Sequence, residues 1–306
     1  MVNQAKRCEL TDFSKKFFRE VAFEYKKAIQ DCIPSSPLLS CEYCFTNLFS
    51  WRNVCGTRWG IFDGALTAFF VDEDEILMPA GIEPDPRKLY DFYLEIFPDC
   101  NGDIAHVPPE YIKKFPSVLD FFSAEESRDQ SEYLHKTENL IYLKGQAFHK
   151  KKNLLNQFLR NNPNYSTRKI KSEDISDCFE LSKKWCEDKT CETFGISHEQ
   201  SAIKETLFHF DLLDVEGVGI YINEKLVAFS IFTICNNACI VHYEKYDRAI
   251  KGCAQAINWE TAKSVAGRCE YINREQDLGI EGLRKAKSSY NPDILKTDLV
   301  LSGKKK

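Results

Sequence analysis

The sequence contains no apolar run approaching the roughly 20 residues that a membrane-spanning helix requires. Its start, Met1-Val2-Asn3-Gln4-Ala5-Lys6-Arg7, leads into polar sequence with no signal-peptide core. Both absences point to a chain that stays in the cytoplasm with no integral membrane segment. It also lacks a second Cys-x-x-Cys to complete a structural zinc site with Cys41-x-x-Cys44, and no strand-then-helix context makes that pair thioredoxin-like. No metal and no redox cofactor are therefore expected. The 13 cysteines are odd in number and scattered, and some sit in apolar runs, as Cys235 and Cys239 do, which reads as reduced core residues. An excess of positive charge is missing too: the formal net charge of -5 excludes a surface that grips nucleic acid all over. Local basic patches remain at Lys150-Lys151-Lys152, at Arg284-Lys285-Ala286-Lys287 and in the tail Lys304-Lys305-Lys306.

What is present is ample core material, with 43% hydrophobic and 13% aromatic residues over 306 positions, about twice a typical domain. In the first half, Phe17 to Ile29 and Pro86 to Ile96 have helical periodicity, and Trp59 to Phe62, Ala65 to Val71 and Glu75 to Pro79 read as an antiparallel meander. Ser123 to His135 is polar and charged, Asn139 to Leu143 reads as a strand, and a basic helix begins near Phe148. Asn161-Asn162-Pro163-Asn164 stops that helix, which places the domain break between residues 1–162 and 163–306. The second half repeats the plan: two helices, then strands Gly217 to Ile222, Leu226 to Ile234 and Cys239 to Lys245. A loop with Gly252 and a helix to Val265 follow, then a strand Cys269 to Asn273, a helix Gly282 to Tyr290 and a last strand Asp298 to Leu301.

That order of elements is the order of the acetyltransferase-like (GNAT-like) fold, which by itself is silent on function. Local sequences sharpen it. His242-Tyr243-Glu244-Lys245-Tyr246-Asp247, Ile250 to Asn258, Tyr271-Ile272-Asn273-Arg274-Glu275-Gln276-Asp277-Leu278-Gly279, Gly282 to Lys287 and Tyr290-Asn291-Pro292 resemble soluble bacterial relatives of the phosphatidylglycerol lysyltransferase C-terminal domain. Cys41 to Leu48 with Trp51, and Gly145 with His149 to Asn153, match the same family in the first half. The resemblance implies an α/β (α+β) chain of two tandem GNAT-like domains, each a mixed, mainly antiparallel sheet flanked by helices. It implies acyl or aminoacyl transfer, from aminoacyl-tRNA or acyl-coenzyme A as co-substrate, to an amine or hydroxyl of a small-molecule or lipid acceptor. The membrane-embedded portion of full-length lysyltransferases has no counterpart here, so lipid flipping is not expected. The coenzyme A loop is matched only loosely by Arg248 to Ala254, whose spacing to Gly252 is one residue too long. A non-catalytic ligand-binding or regulatory module on the same fold remains the alternative, and the oligomeric state is open.

Acyl transfer needs a deprotonated nucleophile, a positioned carbonyl and donors for the developing oxyanion. Asn273, Arg274, Glu275 and Asp277 stand where a strand leaves the sheet, the usual place for a cleft. Arg274 with Asp277 reads equally as an ion pair pinning the turn. Arg284 and Lys287 share a helix face suited to clamping a carboxylate or phosphate. Glu244 and His242 fall on one strand face, so either can serve as general base or as substrate contact; pairing of Glu244 with Lys245 or Lys251 is the structural reading. Lys251-Gly252 before a helix either cradles an anion or simply turns. Tyr290 is a candidate substrate contact. Lys150, Lys151 and Lys152, at a helix start where the dipole disfavours cations, are either RNA or phosphate contacts or a solvated cluster.

Overall fold

The computed structural model describes residues 10–36, 38–187 and 194–305; the polar start Met1–Arg7 lies outside them. Its strands are β1 Arg19–Glu20, β2 Thr57–Phe62, β3 Ala65–Phe70, β4 Glu75–Leu77, β5 Asp103–Val107, β6 Phe122–Glu126, β7 Glu132–Lys136, β8 Ser166–Lys169, β9 Glu216–Ile222, β10 Lys225–Cys235, β11 Ala238–Tyr246, β12 Tyr271–Gln276, β13 Ile294–Lys296 and β14 Leu299–Gly303. They form two seven-stranded sheets, ordered β1-β2-β3-β4-β5-β14-β6 and β13-β7-β12-β11-β10-β9-β8.

Each sheet is antiparallel except at one place, β4 with β5 in the first and β11 with β12 in the second. The compact units are residues 1–131 with 297–306, and 132–296. The break expected at 162/163 thus lies inside the second unit, because the helix His149–Asn161 packs Leu155 and Phe158 into the core that Ile220, Ala228, Ile257 and Ile272 build. The first unit's core is aromatic, with Phe18, Phe69, Tyr90, Tyr93, Phe97 and Phe122 around Leu89 and Ile104.

Two strands leave sequence order. β14, from the C-terminus, enters the first sheet between β5 and β6, bonding to both. β7, which follows β6 directly, enters the second sheet between β12 and β13. A strand pair that would close one sheet as a local hairpin is thus divided, each half completing its own seven-stranded order. Three sequence expectations are corrected. Asn139 to Tyr142 belongs to a helix, Thr137–Tyr142, that turns Leu140 into the core and ends at a buried, left-handed Leu143. Phe17 to Ile29 is interrupted by β1, which pairs with β2, leaving helices Asp12–Phe17 and Lys26–Asp31. The charged stretch Ser123 to His135 holds most of β6 and most of β7.

Candidate functional site

The parallel pair in the second sheet is held only at Ala238↔Tyr271, Cys239↔Ile272 and Ile240↔Asn273, although β11 runs on to Tyr246 and β12 to Gln276. Beyond that point no residue of β11 pairs with one of β12, which opens the sheet at the carboxyl ends of a parallel pair, where α/β sheets take ligands.

Two irregularities set what faces the opening. Between β10 and β11, Phe232 pairs with Val241 but Ile231 with Tyr243, so His242 is an extra residue and the alternation of faces inverts after it. His242 and Glu244, expected on one face, therefore part. Between β12 and β7 the register shifts between Asn273 and Gln276, and Glu275 takes a left-handed φ of 55°. Arg274 and Glu275 reach different partners as a result.

Arg274 Nη2 lies 2.9 Å from Glu244 Oε1, each side chain only 13% exposed. The expected alternative of Arg274 with Asp277 is replaced by this pair across the opening. The Arg274 guanidinium stands 5.0 Å from the Tyr290 ring centroid, and Lys151 Nζ stands 4.2 Å from the same centroid. Burial, and then repulsion from Arg274, lower the Lys151 pKa against the pull of Glu244. Burial raises the Tyr290 hydroxyl pKa, opposed by Arg274 and by a hydrogen bond from Gln255. His135, on β7, is fully buried with its ring 6.4 Å from that of Tyr290. Burial and Arg274 push its pKa down to about 3, so it is a neutral imidazole. Neither His135 ring nitrogen has a hydrogen-bond partner among the described residues, and neither does Glu244 Oε2. Unpaired buried polar atoms are uncommon enough to call for an explanation, and three of them gather here.

Asp277 belongs to a second cluster. Arg284 donates to it from Nε and Nη2 at 2.8 to 3.1 Å, the Tyr133 hydroxyl at 2.6 Å and the Gly279 N–H at 3.0 Å. Burial alone would raise its pKa, but these donors outweigh burial and hold it at about 2. Lys287 donates to the Gln276 carbonyl. The expected anion clamp of Arg284 and Lys287 thus closes on the protein's own carboxylate and backbone.

His242 Nδ1 lies 3.0 Å from Glu275 Oε1 and its Nε2 2.9 Å from Thr233 Oγ1. Asn273 accepts the Glu275 N–H through Oδ1 at 2.8 Å and donates to Glu132. Gly252 begins the helix Cys253–Ser264 at φ 82°; a Cβ there would meet the Leu154 carbonyl at 2.2 Å, so close packing demands this glycine. Lys251, Lys150 and Lys152 are exposed. Cys41 and Cys44 are buried at either end of a short 3-10 turn. Sequence reasoning missed His135, Thr233, Tyr133 and Gln255. The signal for the first was weak, an alternating Tyr133-Leu134-His135 inside a charged stretch.

The twice-repeated mixed sheet opened at a parallel pair defines tandem acyltransferase-type, GNAT-like α/β domains. The chain belongs to the family of the phosphatidylglycerol lysyltransferase C-terminal region, which matches residues 36–299. A conserved protein of unknown function from Bacteroides thetaiotaomicron is 30% identical, with a TM-score of 0.86 over 94% of this chain and 99% of that one. L-PGS from Bacillus licheniformis shares the fold at 12% identity, TM-score 0.61, over 93% and 92% of the two chains. An uncharacterized protein of Mycoplasmoides gallisepticum is 24% identical over 201 residues, 63% of this chain and 61% of that relative's length. Among the described residues no helix is long and apolar enough to cross a membrane.

Proposed function

We propose that the protein transfers an aminoacyl group, delivered as a tRNA ester, to an amine or hydroxyl acceptor at the opening between β11 and β12. The observation that carries this reading is the buried Glu244–Arg274 pair spanning the opening with Glu244 Oε2 unpaired. The acceptor N–H or O–H gives its proton to Glu244 Oε2 as its nitrogen or oxygen attacks the ester carbonyl. Arg274 orients Glu244, and with Lys151 it balances the negative charge that develops on the carbonyl oxygen. Neutral His135 can both donate and accept one hydrogen bond to orient the reactants. Membership in the lysyltransferase family supports the reaction class. Exposed Lys150 and Lys152 beside Lys151 are the proposed contacts for the tRNA backbone.

Acyl-coenzyme A is the second reading, favoured by one observation. The helix Cys253–Ser264 starts at Gly252, which offers no side-chain acceptor to the first amides and so leaves its N-terminus suited to phosphate. Incubation with charged tRNA or acyl-coenzyme A, followed by mass spectrometry of the small-molecule and lipid fractions, tests both. Glu244→Gln should lower product formation by about 100-fold or more with the fold retained. Ligand binding without product in either arm would identify a binding module instead.

A further inference from the structure

Three neighbouring strands bring Thr233 of β10, His242 of β11 and Glu275 of β12 into one line, hydroxyl to imidazole at 2.9 Å and imidazole to carboxylate at 3.0 Å. This is the order of nucleophile, base and orienting group. A carboxylate can only accept, so Nδ1 carries the proton it shares with Glu275, and the Nε2 lone pair faces the Thr233 hydroxyl. The His242 side chain is 1% exposed and that of Glu275 19%.

The line depends on costly backbone. His242 is the extra residue of a bulge, and Glu275 holds a left-handed φ that costs a non-glycine residue roughly 1–3 kcal/mol. The first sheet shows that the frame does not need these side chains. Ile76 pairs with Phe69 as Ile240 pairs with Thr233, and His106 takes the same φ of 55° as Glu275. Counting along these ladders, Phe69 stands for Thr233, Met78 for His242 and His106 for Glu275. The left-handed φ recurs at His106, and Ala80 bonds to Leu66 one residue out of the register of Ile76 with Phe69, so irregular backbone also forms in the first sheet, where phenylalanine and methionine stand in place of the hydroxyl and imidazole.

We infer that Thr233 is a nucleophile that carries the acyl group between donor and acceptor; the identity of the donor rests on the transfer reading above. Thr233 Oγ bonds to the acyl carbon as its proton passes to His242 Nε2. The carbon–oxygen or carbon–sulfur bond of the donor breaks, and the leaving group takes that proton. On this route, which replaces direct attack on the donor with Glu244 as base, the acceptor amine or hydroxyl then attacks the Thr233 ester, gives its proton to Nε2, and Thr233 Oγ recovers it on release. Every bond and proton is accounted for without a further reactant.

The test uses the full chain with a β-lactone, a strained acyl donor, and peptide mass spectrometry. A stable acyl adduct on Thr233 is expected in the wild type and in Thr233→Ser. Its rate should fall by about 100-fold or more in His242→Gln, and less in Glu275→Gln, at unchanged melting temperatures. No adduct, or an adduct elsewhere, overturns the inference. Charged tRNA and acyl-coenzyme A form the second arm. If the wild type makes product and Thr233→Val makes it equally fast, the relay falls and the transfer reading stands. If Thr233 takes the lactone but neither donor yields product, the relay stands and the transfer reading falls.

Discussion

The two units are variations on one backbone, and the differences fall where chemistry would be done. In the first sheet, Ala80 bonds back to Leu66 as Glu244 pairs with Ser230, and Ala105 precedes His106 as Arg274 precedes Glu275. Counting along the ladders therefore puts buried Ala80 and Ala105 where the second unit has its ion pair. The following helix differs likewise. Pro86–Ile96 is capped by Asp85, whose carboxylate accepts the N–H groups of Arg87 and Lys88, whereas Gly252 supplies no such acceptor. One copy of the opening is filled with methyl groups and its helix end is occupied; the other is charged and its helix end has no side-chain cap. A shared frame with divergent contents assigns fold to the frame and function to the contents.

The largest effect should come from breaking the division of strands. Deleting residues 297–306 removes β14 from between β5 and β6, and a chain ending at 162 loses the same strand, so both should lose the cooperative unfolding of the first unit in circular dichroism. A chain of residues 1–162 that melts cooperatively would show that the first sheet closes without β14.

Next comes conversion of the second opening to the alanines of the first. Arg274→Ala leaves a nearly buried carboxylate without its cation and should cost about 3–5 kcal/mol, while Glu244→Ala with Arg274→Ala should recover much of that and still abolish transfer. Denaturant titration of the three variants measures it; equal costs for single and double variants would mean the pair does not act as a pair.

The units should also answer pH with opposite signs. His135 has a folded pKa of about 3 against 6.5 in an unfolded chain, so between these values the unfolded state binds the proton that the native state refuses. Stability contributed by the second unit then falls as pH drops from 6.5 towards 3, by at most about 1.4 kcal/mol per pH unit. In the first unit, burial raises Glu75 from 4.5 to about 7, against the pull of His106. There the native state holds the proton, and stability falls as pH rises from 4.5 through 7. His135→Leu and Glu75→Gln should each flatten their own limb of the curve of unfolding free energy against pH.

The smallest effect belongs to the helix cap. Asp85→Ala should lower stability by about 1 kcal/mol and leave transfer unchanged, since its carboxylate accepts the Arg87 and Lys88 N–H groups that open the helix Pro86–Ile96. A loss of product formation in that variant would give the first unit a part in the reaction that its alanines do not suggest.

The amino-acid sequence by itself determined the elements whose periodicity is their own. The apolar runs Trp59 to Phe62 and Leu226 to Ile234, the second apolar on both faces, and the helical spacing of Leu89, Phe92, Tyr93 and Ile96, reflect local burial, and each segment formed the element expected of it. Resemblance in the motifs around Asn273 and Arg274 carried the family. Tertiary structure alone decided the rest. β6 and β7 were hidden because Ser123-Ala124-Glu125-Glu126 and Glu132 are polar, and what makes them strands is the neighbour that each acquires from far along the chain. The partners of Arg274, Asp277 and His242 were equally beyond reach. One extra residue at His242 inverts which face each later side chain occupies, and a bulge is a property of two paired strands, with no periodicity in either one to announce it.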